Sequence, residues 1–244
     1  MDDTAGVAGA FFSFTEVTDP AEHDAYNRWH QLDHLPQQYE LPGIRFGQRW
    51  VSTPACAAAR AVSKPPLDAT HYVTLYLLAE PVGATVDAFM ALGARLRKEG
   101  RFHEHRRAPL SGLFEVTGRW AAERVLVTPA VVPFRPQRGL YVAVAEGGAV
   151  RAPRAAEATG DDAVAGVWTF SARPDTARSG GVSRWPARDE QIVVCFLDGD
   201  PLEAAARLAP LAADALTGDV VFAGPLETVT PWRWDWFDPG PQPT

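Results

Sequence analysis

The sequence predicts an α+β chain in which one β-α-β-β-α-β unit is written twice. Two apolar runs that end in an acidic residue and proline carry this reading. Val73-Thr-Leu-Tyr-Leu-Leu-Ala-Glu-Pro81 leads into a helical pattern over 85–98, and Ile192-Val-Val-Cys-Phe-Leu-Asp-Gly-Asp-Pro201 leads into one over 202–216. Each helix is followed by a last strand, 113–120 in one copy and 220–230 in the other. Between the copies, residues 128–139 carry Pro129, Pro133 and Pro136 and read as a join. The expected units are residues 1–127 and 138–244, each an antiparallel sheet with its helices on one side.

The elements follow in order. Residues 7–14 form an apolar run after an acidic Met-Asp-Asp-Thr start, with no basic region and no cleavage signature. They read as the beginning of a strand, with 11–17 matching 140–145, and not as a secretion signal. Asp19-Pro20 opens a helix, since Asp caps well and Pro suits the first turn. At about 100° per residue, His23, Asn27, His30 and His34 share one face, flanked by Tyr26 and Gln37. Ala25, Trp29 and Leu32 fall opposite and can pack on a sheet, and Pro36 predicts an end or kink just after His34.

The second strand, 44–51, matches 164–171 and puts Arg45, Gly47 and Arg49 on one face. On the third, His71, Val73 and Leu75 alternate with Tyr72, Thr74 and Tyr76; on the fourth, Glu115, Thr117 and Arg119 share a face. His103-Glu-His105-Arg-Arg107 reads as a solvated loop whose histidines can close over a pocket mouth. In the second copy, residues 147–162 take the place of the first helix, rich in Gly, Ala and Pro and without Trp or His. All six histidines lie between residues 23 and 105, so one working site and one scaffold half are expected. The closing Trp232-Arg-Trp-Asp-Trp-Phe237 alternates like a strand that seals the barrel end or an interface.

The residues Asn27-x-Trp29-x4-His34-x-Pro36, then Leu41-Pro42-Gly43 and the strand 44–50, resemble the EthD-like proteins of the dimeric α+β barrel superfamily. The resemblance covers residues 11–50. It implies ferredoxin-like β-α-β-β-α-β halves whose antiparallel sheets pack face to face as an intramolecular pseudo-dimeric α+β barrel around a small-molecule pocket. Members include polyketide cyclases, decarboxylases and cofactor-independent oxygenases, so the resemblance supplies a fold more readily than a reaction.

Composition narrows the classes. At 244 residues, 46% hydrophobic and 22% charged, the chain is an ordinary globular protein able to bury a core. A net charge of −7, spread evenly over both halves, argues against a nucleic-acid surface. Cys56 and Cys195 sit one per half with no Cys-x-x-Cys pair, which suits the cytoplasm, and no apolar run reaches the ~20 residues of a membrane span. A monomer with an internal pseudo-dimer, or a homodimer, is expected. GxGxxG, P-loop, GxSxG and Cys-x-x-Cys-His patterns do not occur.

The candidate catalytic residues are His34, His30 and Asp33. An imidazole near pKa ~6.5 exchanges protons at neutral pH, and a helix C-terminus favours its charged form. The alternative is that His34 holds the Leu-Pro-Gly turn while His30 is solvated. His-x-x-Asp-His also approaches a zinc pattern, but His23 lies two turns away, about 10 Å, too far to share an ion with His34. Tyr26, Trp29, Arg49 and Tyr76 are candidate substrate contacts, on the expectation that the sheet faces turned away from the helices line the cavity. The leading reading is a cofactor-free, metal-free enzyme of secondary metabolism. It performs cyclisation, decarboxylation, isomerisation or dehydration on a hydrophobic aromatic or polyketide-like substrate. A non-catalytic ligand carrier and a heme- or metal-dependent oxygenase are the alternatives.

Overall fold

The computed structural model describes residues 6–173 and 189–237. The ends of the two expected units, 1–5 and 238–244, lie outside the described residues. Among the described residues, nine strands build one antiparallel sheet: β1 (Val7–Val17), β2 (Ile44–Val51), β3 (Val62–Ser63), β4 (Tyr72–Ala79), β5 (Arg106–Ala121), β6 (Gly139–Glu146), β7 (Val164–Ala172), β8 (Gln191–Leu197) and β9 (Asp219–Thr228). Their order is β2-β4-β1-β5-β7-β8-β6-β9-β3, and β2 also pairs with β9, so eight strands close a barrel and β3 sits beside β9. The first-half strands run β2-β4-β1-β5 and the second-half strands β7-β8-β6-β9, the same second-third-first-fourth order.

The α-helices of the described residues lie outside the barrel: α1 (His23–Trp29), α2 (Leu35–Gln38), α3 (Pro54–Ala58), α4 (Val82–Lys98), α5 (Ala152–Glu157) and α6 (Pro201–Asp214). The two long ones, α4 and α6, occupy the expected places. The second-half counterpart of α1 is only α5 and a short 3-10 turn. The join is ordered: Pro129–Phe134 is a 3-10 helix whose Val132 enters the core, and Trp168 Nε1 donates to the Pro129 carbonyl at 2.9 Å.

Alternation along the strands decides what fills the barrel. Ala10, Phe12 and Phe14 of β1 and Val73, Leu75 and Leu77 of β4 join Trp50, Phe114, Trp168, Phe170 and Phe222 in one buried apolar cluster. Phe12 meets Phe114 and Phe170 edge-on at 5.3 and 4.9 Å, an arrangement worth about 1 kcal/mol per pair beyond area burial. This corrects the expectation of a pocket between the sheets: the strands' inward residues are large and apolar, and they pack the barrel interior. The opposite sheet face, under the helices, carries Tyr72, Thr74 and Tyr76.

Three other expectations change. The first helix does not stop after His34; α1 passes through a π-helical turn, His30–His34, into α2, with Pro36 in its first turn. The wide turn relieves the clash a proline ring makes with the preceding carbonyl in a regular helix. Ala25 and Leu32 are exposed, while His23, Tyr26, Asn27 and His30 are buried, so the polar-aromatic face packs on the sheet. That face can be buried because its polar atoms are partly satisfied across the interface. The Trp232–Phe237 segment is turn and coil, not strand, since β9 ends at Thr228 and Trp232 takes a left-handed φ of 66°. Trp234 and Phe237 instead cover the cluster of Val17, Tyr26 and Tyr72.

Candidate active site

A cavity of about 830 Å³ lies on the helix side of the first-half sheet. Phe11, Ser13 and Thr15 of β1, Thr74 and Tyr76 of β4, and Ser111 of β5 form its floor. Tyr26, His30, His34 and Gln38 form one wall along the α1–π–α2 segment, and α4 with Phe102 forms the other. Five buried polar atoms of these walls have no hydrogen-bond partner among the described residues: His30 Nδ1, His34 Nδ1, Gln38 Oε1, Thr74 Oγ1 and Tyr76 OH. A folded protein pairs most of its buried polar atoms, so these five are the polar groups of the wall that a molecule in the cavity could pair.

The tyrosine depends on a missing side chain opposite it. A Cβ at Gly47 would stand 2.8 Å from both Leu35 Cδ1 and Tyr76 Cε1, so only glycine leaves the ring its place. Tyr39 OH bridges the same strand, donating to the Gly47 carbonyl and accepting from its N–H at 3.1 and 3.0 Å.

Behind the cavity a chain of hydrogen bonds fixes α1 to the sheet. Arg49 Nη2 donates to Asn27 Oδ1 (2.9 Å), and Asn27 Nδ2 donates to Tyr72 OH (2.8 Å). The Tyr72 hydroxyl in turn meets His23 Nδ1 at 3.0 Å. The Arg49 guanidinium lies between the Tyr26 and Tyr72 rings, 5.0 and 4.9 Å from their centres. Arg49 is thus fully buried behind Tyr26 and does not line the cavity. His23 and His71 belong to this framework: Val17 N–H donates to His71 Nδ1 at 3.1 Å, and Phe237 stacks on His23 at 4.0 Å.

His30 and His34 come together, ring centres 5.1 Å apart. Burial is the main cause holding both below their ordinary value. For His30 the guanidinium of Arg49 comes next, then His34 and Arg106; His34 is lowered to about 3, with Arg106 the next cause. The helix runs on through Gln38, which removes the bias toward imidazolium expected of a C-terminus at His34, and burial holds both rings neutral at pH 7. Burial pushes the Tyr76 phenol far above its ordinary value, which keeps it a donor.

Asp33 does not orient His34. Its carboxylate pairs with Arg101 at 2.5 Å, an outward-facing partner from the loop after α4. Trp29 takes the positioning role: its indole stacks on His34 at 4.6 Å and 26°, and its Nε1 donates to the Arg101 carbonyl at 2.8 Å. It is absent from the cavity wall. Among the described residues, no group of three or more His, Cys, Asp or Glu side chains is placed to hold a metal ion.

Gln38, Arg97, Phe102 and Arg106 line the cavity without having been expected there. The run 103–107 reads as a loop, yet Arg106 already begins β5. A bulge between Phe14 and Glu16 shifts the β1–β5 register, so Arg106, Ala108 and Ser111 all reach the cavity although strict alternation would split them. Glu115, Thr117 and Arg119 lie beyond it; Thr117 bonds Thr169 of β7 at 2.9 Å.

No protein-family model matches the sequence, and no curated protein does. Solved structures do match. One is an anthrone oxidase-like protein, 9% identical, with 93% of each chain covered and a TM-score of 0.52. Another, assigned as a candidate chlorite dismutase, is 9% identical, with 95% of this chain and 97% of that one covered and a TM-score of 0.51. What the chain shares with them is its overall fold, here a closed eight-stranded antiparallel barrel with helices on the outside. Identity this low shows the fold alone. No helix among the described residues is long and apolar enough to cross a membrane.

Proposed function

We propose that the chain is an enzyme that moves a proton next to a carbonyl or phenol of a hydrophobic, aromatic or polyketide-like molecule held in the first-half cavity. The observation that carries this is the set of unpaired polar atoms on an otherwise largely apolar wall, led by His34 and Tyr76. The two halves are read as tandem copies of one ferredoxin-like unit, in line with their shared strand order, and only the first keeps the long helical wall.

The chemistry follows from charge. An empty site keeps His34 neutral because burial and the Arg106 guanidinium both oppose imidazolium. Transfer of a C–H or O–H proton to the ring leaves its electron pair on the substrate as an enolate or phenolate. That anion offsets the guanidinium and favours the new imidazolium, so both products of the transfer are stabilised together. The Tyr76 hydroxyl, protonated and unpaired, donates to the developing oxyanion. Return of the proton at another atom gives isomerisation; attack of the enolate on a second carbonyl gives cyclisation.

The test is hydrogen exchange. Polyketide-like β-keto and hydroxyaromatic compounds are incubated in D2O with wild type and with His34→Ala, and deuterium uptake is read by mass spectrometry. Wild type is expected to accelerate exchange, and the variant to lose it while keeping its melting temperature. An imidazole that only holds the Leu35-Pro36 turn would cost about 1 kcal/mol of stability on removal and leave exchange per folded molecule unchanged, which would sink the proposal. Tight binding without exchange in wild type would identify a ligand carrier instead.

A further inference from the structure

The basic side chains around the cavity mouth say more about the ligand than its apolar walls do. On the neighbouring positions of the same elements, arginines are matched with acids. Arg95 meets Glu40 at 3.3 Å, Arg101 meets Asp33, and Arg107 meets Glu16 at 2.6 Å. Arg97 and Arg106, the two that line the cavity, have no carboxylate partner among the described residues. Instead both guanidinium groups lie against the ring of Phe102, at 4.5 and 5.1 Å from its centre, and Arg106 also lies 5.4 Å from the Trp29 ring. Stacking fixes their planes while leaving N–H edges available.

The acid that also lines the cavity, Asp87, is ten residues before Arg97 on α4, so about 15 Å away along the helix axis. The cavity is therefore polarised, with two unmatched cations at the Phe102 end and one carboxylate far from them. His34 belongs to the cationic end, its ring 5.3 Å from Phe102.

Resting on the proton-transfer reading above, we infer that the ligand is an organic acid. It has a flat, largely apolar body and a carboxylate gripped between Arg97 and Arg106, which places the reacting carbon close to the acid group. Arg97 and Arg106 are then the residues that select an acid over its neutral analogue. Guanidinium–carboxylate pairs are charge-assisted and suit that choice.

Two probes with the same aromatic body separate charge from shape: 1-anilinonaphthalene-8-sulfonate, whose sulfonate stands for the acid, and neutral N-phenyl-1-naphthylamine. Their fluorescence is titrated against wild type, Arg106→Gln, Arg97→Gln, Arg106→Lys and the control Arg95→Gln. Wild type and the control should prefer the anionic probe about tenfold or more. Either glutamine variant should lose most of that preference with the neutral probe unchanged, and Arg106→Lys should restore part of it. Equal binding of both probes by wild type, with no effect of Arg106→Gln, overturns the acid assignment while the cavity reading stands. Parallel weakening of both probes makes Arg106 a structural residue and overturns it as well. Failure of both probes to bind overturns the assignment and the cavity reading together.

Discussion

His34 shows how a residue's surroundings overrule its ordinary pKa of about 6.5. The helix continues past it through Gln38, so no terminus favours the cation there, and removal from water and a nearby guanidinium both hold the ring neutral. The same direction holds for His30 and for His23, the latter lowered to about 4 by burial and by His71. The sign for stability follows. The unfolded chain takes up these protons as pH drops through about 6.5, whereas in the folded chain His23 does so only near 4 and His34 near 3, and His30 too is held well below its ordinary value. Folding stability is therefore full above pH 6.5 and declines below it, by up to about 1.4 kcal/mol per pH unit for each histidine. Urea unfolding at pH 7 and pH 5 should show this loss, at a pH where most carboxylates are still ionised. A flat profile over that interval would mean that the rings are solvated and the site is misdescribed.

At the scale of elements, the first helical segment was the most legible part of the sequence. The face shared by His23, Asn27, His30 and His34 was evident from spacing, but its direction was inverted. Periodicity defines two faces and does not say which one is buried. The partners that make the polar face buriable, Tyr72 and Arg49, come from strands 22 to 49 residues away. Arg106 was illegible for another reason: a bulge changes the parity of β5, and no residue spacing announces it. Glycine offers a prediction here. Gly47→Ala should cost about 1–3 kcal/mol, because its methyl would press on Leu35 and Tyr76 in a packed interior. Gly93→Ala, where α4 faces the cavity and no atom lies within 4 Å of the new methyl, should gain up to about 1 kcal/mol from helix propensity. Paired denaturation curves check this, and equal effects at both positions would remove the claim that Gly47 shapes the cavity.

On the scale of the whole molecule, the sequence pattern anticipates an α+β chain and the places of its two long helices, but not α3 and β3 between β2 and β4. The location of the cavity was not anticipated, because a closed barrel suggests a hollow centre. Side-chain volume decides otherwise: Phe12, Phe14, Trp50, Phe114, Trp168 and Phe170 fill the inside, and function moves to the space between sheet and helices. In the second half α5 is only six residues long, and its Ala155, with Ala158 just after it, joins the buried cluster of Tyr141, Val167 and Cys195. Its strands β7, β8, β6 and β9 complete the barrel. The most direct test is a crystal structure of the protein with a bound planar aromatic acid. The ring system should lie between Phe102 and the β1–β4 floor, its acid within about 3 Å of Arg106 and a carbonyl or hydroxyl oxygen within the same reach of Tyr76 or His34. A ligand found inside the barrel, against the second half, or on the outer surface would contradict the account.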